Sequence, residues 1–281
     1  MNVRIIADST SDLPQELKGT LTTVPLTIHF GEEEYIDGVT ITNARFYEKL
    51  ETDSNLPTTS QATPAAFEQV FRQAVEAGDE VVAITIASKL SGTCQSAMIA
   101  AQEFPGKVFV VDSQNVAIGA GILVELAVKL AQEGKTAEEI AETLTREREN
   151  VRLVAVVDTL EYLKRGGRIS KTTALAGGLL SIKPVIAVEG GELSMLSKAR
   201  GNRQGNQQML KQIDSFGGVD FSRPVLLGYT GKSDALLNKF MDETTDYWTE
   251  HSGALRSTLV GSVVGTHAGP GAVAVAFFKK N

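Results

Sequence analysis

Cysteine is almost missing from this 281-residue chain. Cys94 stands alone, so no disulfide closes within the chain and no cysteine-rich zinc site can form. Histidine is nearly as scarce: His29, His251 and His267 lack the i, i+4 spacing that puts two imidazoles on one helix face, and we expect no metal. Long apolar runs are missing too. The few apolar residues before Asp8 are too short for a signal-peptide core, and no later run reaches the length of a membrane span. The expected home is the cytoplasm, with no stable membrane insertion. Positive charge is in deficit, 27 Lys and Arg against 34 Asp and Glu, for a formal charge of −7. That balance argues against a broad electrostatic footprint on nucleic acid or anionic membrane, so any basic function is local.

What is present is apolar material, 42% of the residues, enough to bury a large core, and the length suits two domains better than one. The runs VRIIA, EVVAITI and KVFVVD are rich in Val and Ile, and helical patterns follow them in AAFEQVFRQAVEAG, TCQSAMIAAQEF, ILVELAVKLAQEG and AEEIAETLTREREN. This alternation predicts βαβ units and a parallel sheet covered by helices, with the loops of interest at strand C-termini. The pattern then changes. IKPVIAVEGGELSMLSKAR sets Gly190-Gly191 between two apolar alternations, which predicts a hairpin. A helix through DALLNKFMDETTDYW and strands at VRLVAVVD, RPVLLGYTG, RSTLVGSVV and GAVAVAFFK complete a second α/β domain with an antiparallel or mixed sheet. We place the N-terminal domain at residues 1–150 and the C-terminal one at 151–281.

Several polar stretches have no purely structural explanation. DSTSDLP, from Asp8 to Pro14, reads either as a helix cap or as a binding loop at a strand end. In LPTTSQATP, Thr63 can cap a helix opening at Pro64, which leaves Thr59, Ser60 and Gln61 unexplained. In ASKLSGTCQSA, a buried strand gives way to Ser88, Ser91, Gly92 and Thr93 before a helix whose free N–H groups favour an anion. Facing one another, the two loops would make an uncharged nest for a small anion such as a carboxylate. His267 stands in GTHAGPG, read as a glycine-rich loop, with either a functional or a structural hydrogen bond. No G-x-S-x-G elbow occurs, so a Ser91–His267 hydrolase is a minor alternative. GYTGKS has its first glycine two residues too close for a phosphate loop and reads as a turn and cap, and GPGAVA lacks the context of a dinucleotide fingerprint.

Six stretches taken in order, DSTSDL, TSQATP, SKLSGTCQSA, VVDSQN, DTLEYLKRGGRIS and GSVVGTHAGPGAVAVAF, closely resemble the bacterial DegV family over nearly the whole chain. That resemblance implies a two-domain α/β protein that buries a long-chain fatty acid in a tunnel, with its carboxylate near the domain junction. The hydroxyls aligning with the family's head-group contacts are Thr59, Ser60 and Ser91, beside Gly92 and Thr93. It further implies that the protein presents this carboxylate to a separate ATP-binding fatty acid kinase subunit that forms acyl phosphate. In that reaction Arg200 and His267 assist phosphoryl transfer, while the chain alone is inert and needs no cofactor. A free-standing fatty acid carrier or sensor is the alternative. ILVELAVKLA is apolar on more than one stripe and either lines the tunnel or fills the core. Lys164, Arg165, Arg168, Lys171, Lys198, Arg200 and Arg203 are the candidates for a docking or phosphate-facing surface.

Overall fold

The computed structural model describes residues 2–169 and 181–280; Lys171 lies outside the described residues. The first half holds β1 (Val3–Asp8), β2 (Thr22–Val24), β3 (Thr27–Phe30), β4 (Glu33–Ile36), α1 (Asn43–Thr52), β5 (Thr58–Ser60), α2 (Pro64–Glu76), β6 (Glu80–Thr85), α3 (Thr93–Ala101), β7 (Val108–Asp112), α4 (Ala117–Gln132) and α5 (Ala137–Glu147). Strands β2, β1, β6 and β7 form the expected parallel sheet in that order. Residues Val81 to Thr85 of β6 are all buried, as a central strand covered on both faces requires. The helices start where their caps predict: the Thr63 hydroxyl accepts from Ala66 N ahead of Pro64, and Thr136 with Glu139 forms a full capping box. A second, antiparallel sheet, β4-β3-β5, was not foreseen. Its signals are short: Leu26, Ile28 and Phe30 alternate inward, and Gly31 turns the hairpin at φ +60°.

The second half adds β8 (Val151–Val156), α6 (Glu161–Arg165), β9 (Ile182–Glu189), β10 (Glu192–Arg200), α7 (Gly201–Ser215), β11 (Leu226–Tyr229), α8 (Ala235–Glu243), α9 (Thr245–Trp248), β12 (Arg256–Leu259), α10 (Ser262–Ala268) and β13 (Val273–Phe278). They build one mixed sheet in the order β10-β9-β8-β13-β11-β12, antiparallel except for β11–β12. Gly190 and Gly191 turn the β9–β10 hairpin at φ +55° and +83°, the paired positive values of a two-residue primed turn. The helix expected through residue 248 breaks at Thr244, whose hydroxyl donates to Phe240 O at 2.6 Å and accepts from Trp248 Nε1 at 2.9 Å.

Two expectations are corrected. RSTLVGSVV is a strand only as far as Leu259, and the glycine-rich stretch after it is the helix α10, so His267 sits in a helical last turn. The glycines there serve packing and termination. A Cβ on Gly265 would lie 2.6 Å from Tyr47 Oη, and Gly269 closes the helix at φ +70°, with its N–H on Gly265 O. Of the two readings of α4, core packing is the one the structure supports. The helix lies between the parallel sheet and the six-stranded sheet, so Ile118, Ile122 and Leu123 are fully buried in a core shared with Ile5, Ile84, Leu153 and Leu226. A helix facing two sheets needs apolar residues on two sides, and of its residues only the first, Ala117, with Val116 before it, lines the cavity beneath the six-stranded sheet.

Candidate functional site

A cavity of about 360 Å³ lies between the inner face of the six-stranded sheet and the loops at the C-terminal ends of β1 and β6. Its size is that of a small-molecule site. The sheet leaves room because of β13: Ala274 and Ala276 face inward, with Ala272 just before the strand, while Val273, Val275 and Phe277 pack outward against α7 and α8. Alternating alanine and bulky residues along one strand give a sheet whose outer face is filled and whose inner face is shallow. Ala155 of β8 and Gly228 of β11 are the registered neighbours of Ala274 and deepen the same trough.

One side of this apolar space carries polar groups. Thr59 Oγ1 and His267 Nε2 lie 2.9 Å apart, and both residues line the cavity. Ser91 lines it as well, with its hydroxyl 2.9 Å from that of buried Thr93, whose oxygen also accepts from Ala62 N at 3.4 Å. Gly92 is a close approach: a Cβ there would lie 2.1 Å from Oε1 of Gln61, whose Nε2 donates to Ser96 Oγ and Gly92 O and ties the two hydroxyl-bearing segments together. Ser60 is separated from Thr59 by strand alternation. Its hydroxyl sits 2.9 Å from His29 Nε2, although the residue borders the cavity.

Arg168, a candidate for a docking or phosphate-facing surface, lies in the cavity wall. Its Nε donates to Leu90 O at 3.1 Å and its Nη1 to Gly166 O at 2.6 Å, and it makes no ion pair among the described residues. Burial, assisted by this positive charge, pushes the His267 imidazole down to about 4, so the ring is neutral at pH 7. Its Nδ1 has no hydrogen-bond partner among the described residues, and the backbone of Gly166 comes so close that a Cβ there would lie 2.2 Å from this nitrogen. Arg200 is elsewhere: it is exposed at the end of β10, is not a lining residue, and its backbone N–H donates to Gln204 Oε1 at 2.7 Å. Lys164, Arg165, Lys198 and Arg203 are exposed too, and Arg165 pairs with Glu161 at 2.8 Å. His267 bonds Thr59, and Ser91 bonds Thr93, so Ser91 and His267 form no dyad.

The DSTSDL stretch turns out to be a buried junction that supports the site. Asp8 accepts from Thr10 N, Thr10 Oγ1 and Ile86 N, and Asp12 accepts from Gly261 N at 2.7 Å, at the start of the helix that carries His267. Ser9 accepts from Leu26 N, and of the motif only Thr10 reaches the cavity. Burial lifts the Asp12 carboxyl to about 8 and that of Asp37 to about 6. In GYTGKS, Lys232 is ion-paired with Glu51 at 2.6 Å, in keeping with a turn. Among the described residues no cluster of His, Cys, Asp and Glu could hold a metal, and no helix is long and apolar enough to cross a membrane.

The fold and cavity thus define an α/β protein with an apolar chamber that is polar on one side. Residues 2–280 match the family described as "Uncharacterised protein, DegV family", and the chain belongs to the DegV family. It is 38% identical to a DegV domain-containing protein of Caldanaerobacter subterraneus subsp. tengcongensis, over 99% of both chains. It superposes with a TM-score of 0.86 on a fatty-acid-binding DegV family protein from Thermus thermophilus, 34% identical, covering 99% of this chain and 100% of that one. A stearic acid-binding protein from Eubacterium ventriosum is 29% identical with a TM-score of 0.83, over 100% of this chain and 99% of the other.

Proposed function

We propose that this protein binds a long-chain fatty acid, with the acyl chain in the cavity and the carboxylate beside Thr59, Ser91, His267 and Arg168. The observation that carries the reading is the cavity itself: apolar along the sheet, with two hydroxyls, a neutral imidazole and a guanidinium that has no ion pair among the described residues gathered on one side. Its relatives from Thermus thermophilus and Eubacterium ventriosum, described as fatty acid binding, support it. Each buried methylene contributes about 0.8 kcal/mol, so the tail supplies most of the attraction and the polar groups fix its direction. Protein purified from bacterial cells is expected to show a fatty acid adduct by native mass spectrometry. Bare protein that gains no thermal stability from any added long-chain fatty acid would overturn the reading. Thr59→Val should weaken a fatty acid roughly 5- to 30-fold, the cost of about 1–2 kcal/mol for a carboxylate short of one donor, and should spare a fatty alcohol of equal length in paired titrations.

The further step in this reading is presentation of the carboxylate to a separate ATP-dependent kinase subunit in the cytoplasm, giving acyl phosphate. The exposed basic residues Lys198, Arg200 and Arg203, at the β10–α7 junction, support it as a surface suited to a phosphate or an acidic partner. Arg200→Ala is expected to leave lipid occupancy unchanged and to slow acyl phosphate formation several-fold when ATP and the kinase subunit are supplied. An unchanged rate would leave a free-standing carrier as the better description.

A further inference from the structure

We infer that the row Ala155–Ala274–Gly228 gauges the acyl chain, and that the chain's methyl end lies against Gly228. The inference rests on the proposed fatty acid binding. Backbone register sets Ile186, Ala155, Ala274 and Gly228 side by side across β9, β8, β13 and β11, and all four line the cavity. The next row along the strands, Leu153–Ala276–Leu226, is closed: of its members only Leu153 borders the cavity, and α4 packs over the rest. On the opposite side of the row Val157, Ala272 and Thr230 also line the cavity, so the space crosses the strands beside the closed row and extends along them away from α4. Leu193 of β10 lines the cavity from the adjoining row, in register with Val188 and through it Leu153, so the space is diagonal there; from β10 to β11 is four strand spacings of ~4.8 Å, about 19 Å. One leaflet of a bilayer's hydrocarbon core, half of about 30 Å, is filled by a single acyl chain, so the trough has the reach of a long one.

The two ends of the trough differ in chemistry. At the β10 end, Leu193 packs with Ile86 and Leu90, whose carbonyl oxygen holds Arg168, with Ser91 next in sequence and the Lys89–Glu192 ion pair at 3.0 Å alongside. At the β11 end, the atoms nearest to a Cβ placed on Gly228 are methyl groups of Ile118 and Val260, at 3.1 Å. A carboxylate belongs at the first end and a terminal methyl at the second. Side chains added on the row between them narrow the path to Gly228, because the closed row under α4 gives no room on that side.

The test compares the fatty acids co-purified with wild type and with Gly228→Ala, Ala274→Val and Leu193→Ala, after each variant is shown to unfold cooperatively. Gly228→Ala and Ala274→Val are expected to shift the bound population to chains shorter by two or more carbons. In titration they should lower affinity for the wild-type chain about tenfold while the shorter chain binds as before. Leu193→Ala should leave the length distribution unchanged. Variants at residues 228 and 274 that carry the wild-type distribution would overturn the inference while leaving fatty acid binding intact. A shift produced by Leu193→Ala alone would reverse the direction of the chain and overturn it as well. A wild type that carries no fatty acid would remove the binding reading and the inference together.

Discussion

Replacing Arg168 with glutamine is expected to weaken fatty acid binding roughly 10- to 100-fold, the loss of a charge-assisted hydrogen bond worth about 1.5–3 kcal/mol, and to change fatty alcohol binding little. The guanidinium is held in the cavity wall by two carbonyl oxygens, Leu90 O and Gly166 O, with no carboxylate partner among the described residues. Two backbone acceptors orient a cation without neutralising it, which leaves its attraction for an incoming carboxylate intact. A second consequence follows at His267. The positive charge of Arg168 is one reason the imidazole lies at about 4, after burial, so the glutamine variant should show a higher His267 value by NMR titration. Calorimetry with stearate and stearyl alcohol separates the two ligands. Equal losses for both would mean that Arg168 supports the loop around Gly166 and does not meet the head group.

The sequence exposes the layout of this protein better than it exposes the wall of its cavity, and the difference is physical. Strands such as EVVAITI and helices such as α5, with its Thr136–Glu139 capping box, are decided by local periodicity and local hydrogen bonds, so they are readable in a window of ten residues. The paired glycines at 190 and 191 likewise dictate their own hairpin. The stretch around His267 misleads because glycine has two uses. At Gly265 and Gly166 it admits a neighbouring side chain, which depends on α1 and on the imidazole, far away in sequence or around the fold. Thr59 is identifiable as a hydroxyl without a capping duty, and Ser91 as one of the polar residues before a helix, but the separation of Thr59 from Ser60 depends on a strand, β5, too short to carry a period. Arg168 is one of several basic residues in its neighbourhood, and nothing local marks it as the one that turns into the cavity. The clearest signal left unread was AVAVAF itself: alternation of small with large, instead of polar with apolar, describes a strand buried on both faces with space on one of them.

Asp12→Asn is expected to flatten the dependence of stability on pH above neutrality. Burial raises the Asp12 carboxyl to about 8, against roughly 4 in an unfolded chain, so between those values the folded state holds a proton that the unfolded state has released. Stability from this group is therefore fully present below pH 4 and is lost as pH rises towards 8. Other groups act in other windows. His267, lowered to about 4, makes the protein more stable as pH rises from 4 to 6.5 and adds no slope beyond that, and Asp37 has released its proton above about 6. Asp8, also buried, is raised as well, so the contribution of Asp12 between pH 6.5 and 8 is the difference between wild type and variant, and at one proton it amounts to roughly 1–2 kcal/mol over the window. Around the carboxyl, Gly261 N donates to Oδ1, Asp37 and Asp8 add negative charge that raises it, and the more distant Lys18 lowers it slightly. Asparagine keeps the acceptor for Gly261 N and replaces the protonated oxygen with a neutral donor, so α10 and His267 should stay in place. Urea denaturation at pH 6.5 and pH 8 should then show wild type losing more stability than the variant, by about that amount. If both lose it equally, the proton is held elsewhere and Asp12 is ionised in the folded protein; if the variant is instead much less stable at both pH values, the carboxylate form is the one that α10 requires.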